Sequence, residues 1–266
     1  MRLIFLFFLT TFYISTLAGQ VTFQPKSLDA ENKGIIYNRE TTVDFKVLQT
    51  NGMALGLNFG RIRTYYLTNF YHFELGYIKH TKEYRKQAIG GPLIPNIGGG
   101  QSYIFGKRNQ FILLRGGVGQ KRYFTEKAKL RGLAVGVSYE AGPTIGMLKP
   151  YYLDLGYPLD NGTQLEFRSE KYSESNREVF LNDDLVGGFS GFSRGLGEIS
   201  IMPGVHGQAS LHLDWGAFDE FVKAMEAGIM IDLFFDKVPI MVEAENVENQ
   251  NLFINLFLTL QLGKRR

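Results

Sequence analysis

Cysteine is absent from the chain. That absence removes a disulfide framework, a cysteine–zinc site and a lipoprotein anchor, which needs a cysteine at its cleavage point. Proline is scarce, at 8 of 266 residues, against 31 glycines, 22 phenylalanines and 14 tyrosines. Few prolines with many aromatics and glycines suit long strands joined by tight bends. A surplus of one charge is missing too. Formal charge is +3, and without Arg2, Lys264, Arg265 and Arg266 it becomes −1. A nucleic-acid domain would cluster its Lys and Arg on one face, so no nucleic-acid partner is expected. The glycine run GGPLIPNIGGG lacks the Lys-Ser/Thr of a phosphate loop and reads as a loop.

Long apolar runs are missing except at the start. MRLIFLFFLTTFYISTLAGQ places one positive charge at Arg2 before an apolar run and ends in small residues. That layout predicts a signal peptide over 1–19, removed on export through the general secretory pathway. The run is shorter than the ~20 residues of a spanning helix. A polar tail is expected over 20–33.

What remains is alternation. In NLFINLFLTLQLGKRR, Leu252, Ile254, Leu256, Leu258, Leu260 and Leu262 fall on one side, and Asn255, Thr259 and Gln261 on the other. Period two marks a strand with two unlike environments. VHGQASLHLDW sets Val205, Ala209, Leu211 and Leu213 against His206, Ser210, His212 and Asp214. Similar runs occur near 41–49, 53–63, 65–80, 102–107, 110–124, 132–140, 145–155 and 224–235. Thr50-Asn51-Gly52 reads as a hairpin turn. Ala141-Gly142-Pro143 reads as a bend.

Ten strands are therefore expected, in a range of 8–12. The connections 83–101, 157–197 and 236–250 are long and fall on one side. Arg108-Asn109, Ala141–Thr144 and 217–223 are shorter and fall on the other. Alternating loop lengths are the pattern of outer-membrane barrels. Tyr65, Tyr66, Tyr77, Tyr123, Phe124, Tyr151, Tyr152 and Trp215 suit interfacial girdles. A soluble sandwich or lipocalin-like barrel also alternates, with its apolar residues inside. The fold class expected here is all-β: a transmembrane antiparallel up-and-down barrel over 34–266, with a long outer loop near 157–197.

The leucine face of 252–262 is then the lipid face. The opposite faces carry Asp44, Lys46, His72, Glu74, Arg115, Lys121, Glu140, His206, His212, Asp214, Glu226 and Asp232. A lumen network is expected of His72, Glu74, Arg115, Glu140, His206, His212, Asp214, Glu226 and Asp232, whose opposite charges satisfy one another. Metal binding is the sharper reading. His206 and His212 are six residues apart, ~20 Å along a strand, too far for one ion. No Gly-x-Ser-x-Gly elbow occurs, and Ser210 beside His212 is a weak hydrolase signal. No catalytic residue, cofactor or metal is assigned.

The ending LFLTLQLGKRR and the stretches FYHFELGYIKH and EAGPTIGMLKPYYLDLG resemble outer-membrane β-barrel proteins of Bacteroidota, over most of the chain. The resemblance implies residence in the outer membrane of a Gram-negative bacterium. It also implies a structural or accessory role in a machine such as the β-barrel assembly or type IX secretion complex. Lipid and protein partners are expected, the latter at Phe180, Phe189 and Phe192 of a flexible outer loop. A small passive channel and a lipid-modifying enzyme are the alternatives.

Overall fold

The computed structural model describes residues 37–88, 102–125, 133–159, 165–216, 219–244 and 247–266. The leader over 1–19, the tail over 20–33 and the GGPLIPNIGGG run lie outside the described residues.

Eight strands close into one antiparallel barrel. They are β1 (Arg39–Leu48), β2 (Met53–Thr64), β3 (Leu67–Ile78), β6 (Asn109–Tyr123), β7 (Ala134–Pro150), β11 (Ser200–Asp214), β12 (Phe221–Phe234) and β13 (Leu252–Arg265). Each pairs with its neighbour in sequence, and β1 pairs with β13 to seal the wall. Closure leaves no sheet edge with unpaired backbone groups. The β1–β2 turn is the hairpin expected at Asn51, whose φ of 56° is the positive value such a turn requires.

The count of eight lies at the lower edge of the expected range, and two corrections explain the difference from ten. The runs 132–140 and 145–155 are not two barrel strands. Their residues up to Pro150 form one strand, β7, and the rest begins β8 (Tyr152–Pro158) outside the wall. The bend expected at Ala141-Gly142-Pro143 is absorbed inside β7. Pro143 has no N–H, and the β6–β7 pairing is interrupted between Arg115↔Thr144 and Val118↔Ala141 while keeping the same register. Gly142 fills that interruption because a Cβ there would sit 2.0 Å from the Gly116 carbonyl oxygen. The run 102–107 supplies only β5 (Ser102–Ile104), also outside the barrel.

The two barrel ends differ. One carries the short turn at 65–66, the connection 124–133 and the turn 215–220, together with the start of β1 and the end of β13. The other carries 49–52, 79–108, 151–199 and 235–251. Arg108-Asn109 therefore lies at the long-loop end, not at the short-turn end as expected, and Ala141–Thr144 lies in the wall.

The long loops are structured. β4 (Arg85–Gln87) pairs with β5, and β8 pairs with β9 (Leu165–Lys171) and β10 (Val186–Phe189). A helical turn, α1 (Arg177–Phe180), sits between β9 and β10. These pieces share an apolar core that includes Tyr103, Tyr151, Leu153, Leu155, Phe180 and Val186. The flexible loop expected over 157–197 is, in its described part, a folded cap. Phe180 is fully buried, and Phe189 stacks on Tyr151 with centroids 4.8 Å apart. Of the three phenylalanines expected to meet partners, only Phe192 is largely exposed, at 57%.

Candidate functional site

The barrel is inverted relative to a soluble one. Strand alternation sends large apolar side chains outward: Val43, Phe45 and Val47 on β1, Leu55, Leu57 and Phe59 on β2, and Tyr71, Phe73 and Leu75 on β3. On β13, Leu252, Ile254, Leu256, Leu258, Leu260 and Leu262 all face out, each between 42% and 61% exposed. The intervening residues face in, apolar at Phe253 and Phe257 near the long-loop end and polar beyond. Asn255, Thr259 and Gln261 are 2% exposed or less.

All nine residues expected in a lumen network are buried inside the barrel, within three connected groups. Toward the long-loop end, Arg115 donates from Nε and Nη2 to Asp232 at 2.7 and 2.9 Å. Its Nη1 binds Glu74, which also pairs with Lys46. Lys46 donates in turn to Gln208 at 2.7 Å.

In the middle, Glu140 lies between two imidazoles. Its Oε1 is 3.7 Å from His72 Nε2 and 3.6 Å from His206 Nε2. Both Glu140 oxygens and His206 Nε2 are buried without a hydrogen bond. His206 is held at its other nitrogen by Thr144, 2.9 Å away. His72 is held by Asn58, which also donates to Asp44 at 2.7 Å.

Toward the short-turn end, His212 Nδ1 meets Glu226 at 2.8 Å and its Nε2 meets the Tyr123 hydroxyl at 3.1 Å. Tyr123 donates to Asp214, which also accepts from Arg265 at 2.7 Å. Arg265 and Lys121 both bind Glu40, at 2.9 and 3.0 Å.

Seven carboxylates share the lumen with four fixed cations. Lys46, Arg115, Lys121 and Arg265 face Glu40, Asp44, Glu74, Glu140, Asp214, Glu226 and Asp232. The three histidines stand beside carboxylates. Ions withdrawn from water need partners and hydrogen bonds, and this network supplies hydrogen bonds to every carboxylate named except Glu140.

Three contributors escaped the sequence reading. Tyr123 belongs to the lumen, not to an outer girdle, and Tyr151 belongs to the cap core. Arg265 points inward while Lys264 and Arg266 are exposed. Period two, carried past Leu262 and past Lys121, places both Arg265 and Tyr123 on the inner face. Glu40 at the start of β1 follows the same rule. Among the outward aromatics, Phe124 and Trp215 are 66% and 46% exposed at the short-turn end.

The long-loop mouth is closed by apolar packing. Leu48, Ile78, Phe111, Leu113, Leu148, Met230, Phe234 and Phe257 project from the wall, and Val238, Ile240 and Met241 fold in from the last loop. Phe111, Phe234 and Phe253 form a ring triangle with centroids 5.2 to 6.0 Å apart. Above this plug, buried Lys107 donates to Glu83 and to the Tyr77 hydroxyl, both at 2.8 Å. Burial pushes its ammonium below the usual lysine range, and Glu83 opposes that shift.

The lumen has little of the arrangement needed for chemistry. Ser210 donates to Glu226 at 3.1 Å, and His212 contacts the same carboxylate. A nucleophile activated by an imidazole would need a bond between the serine and the histidine. Among the described residues no group of three or more His, Asp or Glu is placed to hold a metal ion.

No family model matches the chain, and no curated protein matches it. Among solved structures, the crystal structure of Neisserial surface protein A (NspA) is similar at 10% identity, covering 86% of this chain and 94% of that one, with a TM-score of 0.33.

Proposed function

We propose that this chain is an integral outer-membrane barrel that conducts no ions and holds its folded cap for protein partners, as an accessory subunit of an outer-membrane complex. The inverted wall supports the membrane placement. Contiguous exposed apolar surface on every barrel strand far exceeds the few hundred Å² of a soluble monomer. From Leu252 to Leu262 is ~34 Å along the strand, which at a tilt near 40° spans the ~25 Å apolar band of such barrels. Short turns then face the periplasm and the capped end faces outward.

The plug carries the non-conducting role. Apolar packing at the long-loop mouth sits above ion pairs that cross the lumen from wall to wall. A passive channel needs a continuous wet path, and a lipid-modifying enzyme needs reactive groups that reach lipid. The interior side chains face away from the exterior.

The test has two parts. Reconstituted protein in planar bilayers is expected to be electrically silent, and steps of open-pore size would overturn the non-conducting reading. Tagged protein drawn from outer membranes in mild detergent is expected to bring a larger assembly in fixed ratio. A chain that comes away alone would overturn the accessory role.

A further inference from the structure

We infer that the short-turn rim carries an exterior binding site for anionic phospholipid headgroups, built from Arg266, Arg39, Arg61 and Arg63. This rests on the membrane placement proposed above. Arg39 and Arg266 exchange backbone hydrogen bonds, each 2.8 Å, so they lie directly opposite on β1 and β13. Arg39 is also the register partner of Arg61 on β2. Three arginines thus form a row across three adjacent strands, with strand spacing of ~4.8 Å. Arg63 lies two residues along β2 from Arg61, at the register shift between Ile62 and Thr64, and all four are exposed.

Like charges directly opposite one another on a sheet repel. The neighbouring cations of β13 are paired: Lys264 with Glu220 on the rim, and Arg265 with Glu40 and Asp214 inside. No carboxylate pairs with the four row arginines among the described residues. Glu40, next in sequence to Arg39, points inward and is already held by Lys121 and Arg265. The row therefore concentrates positive charge with no carboxylate among the described residues to offset it.

Its height selects the occupant. Phe59, Leu57 and Val43 are outward apolar residues on the same strands, and Arg61 lies two residues past Phe59, ~7 Å. The guanidiniums stand where the apolar band gives way to the headgroup layer. A cleft of about 590 Å³ opens there, lined by Arg39, Glu40, Thr41, Phe59, Arg61 and Arg63, though not by Arg266. A planar guanidinium donates two parallel hydrogen bonds to a phosphate, and Phe59 lies beside the first acyl carbons. A phosphodiester with a further anionic group fits four cations better than a zwitterionic headgroup does.

The experiment is native mass spectrometry of the full chain, released from vesicles of phosphatidylcholine and phosphatidylglycerol in equal amounts. Wild type is expected to retain phosphatidylglycerol in preference. R39Q/R61Q/R63Q/R266Q is expected to lose at least about tenfold of that preference, since each basic side chain near a membrane surface contributes about fivefold. The lysine quadruple variant should keep part of it. R61Q/R63Q gives an intermediate value and guards against misfolding of the larger variant. Equal retention of both lipids by a wild-type chain that is inserted, as shown by protease protection and heat-modifiable migration, overturns the site alone. Release of lipid by inorganic phosphate at matched ionic strength overturns the lipid assignment in favour of a free-anion site. A chain that fails to insert overturns the membrane placement and the site with it.

Discussion

Arg115 on β6 and Asp232 on β12 meet side by side across the lumen, although two strands separate them in the wall, with two hydrogen bonds of 2.7 and 2.9 Å. The pair braces opposite walls, and Glu74 completes the guanidinium's partners. Arg115→Met would leave Asp232 buried without its cation and Glu74 with Lys46 alone. Removing one member of a buried ion pair costs about 3–5 kcal/mol. Urea titration of protein refolded in vesicles should show a loss of that size. Adding Asp232→Asn to Arg115→Met should recover most of it, because Glu74 keeps Lys46 and no buried carboxylate is left without a cation. A single variant with unchanged stability would show that the pair braces nothing.

The outward leucines make a second prediction that separates lipid from water. Leu258 lies at the middle of β13 and is 50% exposed, while Leu262 lies near its short-turn end and is 52% exposed. In water the two positions are equivalent, and arginine at either would be close to neutral. In a bilayer the cost of arginine depends on depth, about 2–4 kcal/mol at the midplane and about 0–1 near the interface. Leu258→Arg is therefore expected to destabilise the reconstituted barrel several-fold more than Leu262→Arg does. Equal effects would argue for a soluble barrel.

How much of this was legible depends on the periodicity of each strand. β11, β12 and β13 alternate without interruption, so both their existence and their inward faces could be read residue by residue. His212 and Asp214 fall where period two puts them. The misreadings occur where a local signal conflicts with a tertiary one. Ala141-Gly142-Pro143 has the composition of a turn. Opposite Gly116 and Gly117, its Gly142-Pro143 is instead a short stretch unpaired to β6 within a strand paired on its other side to β11. Only the neighbouring strand distinguishes those outcomes. The cap was illegible for another reason. Its core joins Tyr103, Tyr151 and Phe180 from three separate segments, and short elements stabilised by such distant contacts carry weak periodicity of their own.

The plug makes a third prediction. Phe111 is fully buried at the long-loop mouth and packs against Phe234 and Phe253. Phe73 is an outward phenylalanine, 54% exposed. Phe111→Ala should cost about 3–5 kcal/mol, since it removes a buried ring and leaves a cavity. The same change at Phe73 removes lipid contact without a cavity and should cost less. Phe111→Ala should also stay electrically silent, because the ion pairs beneath the plug still cross the lumen. Current through this variant would show that the apolar plug alone seals the barrel.

The cap should open in alkali before the barrel does. Burial pushes the Tyr151 hydroxyl up from 10.0 to about 12, and the same cause, with Asp183 at its hydroxyl, raises Tyr103. Both lie in the cap core. A phenol whose folded pKa lies above its unfolded value stabilises the fold fully below the unfolded pKa, and that contribution is lost as pH rises through the folded one. The window for Tyr151 is therefore about pH 10 to 12, with a loss of about 1.4 kcal/mol per pH unit. Lys107 runs the other way. Its folded pKa is depressed, so its cost is present at neutral pH and is relieved as pH rises toward the ordinary lysine value. Above that value the tyrosines dominate. Tyrosinate absorbance should lag in native protein relative to the denatured chain, and proteolysis should cut within 151–199 near pH 12 while the barrel still migrates as folded. Tyr151→Phe should shift the onset of cleavage to higher pH. An onset unchanged by that substitution would assign the alkaline opening to other groups.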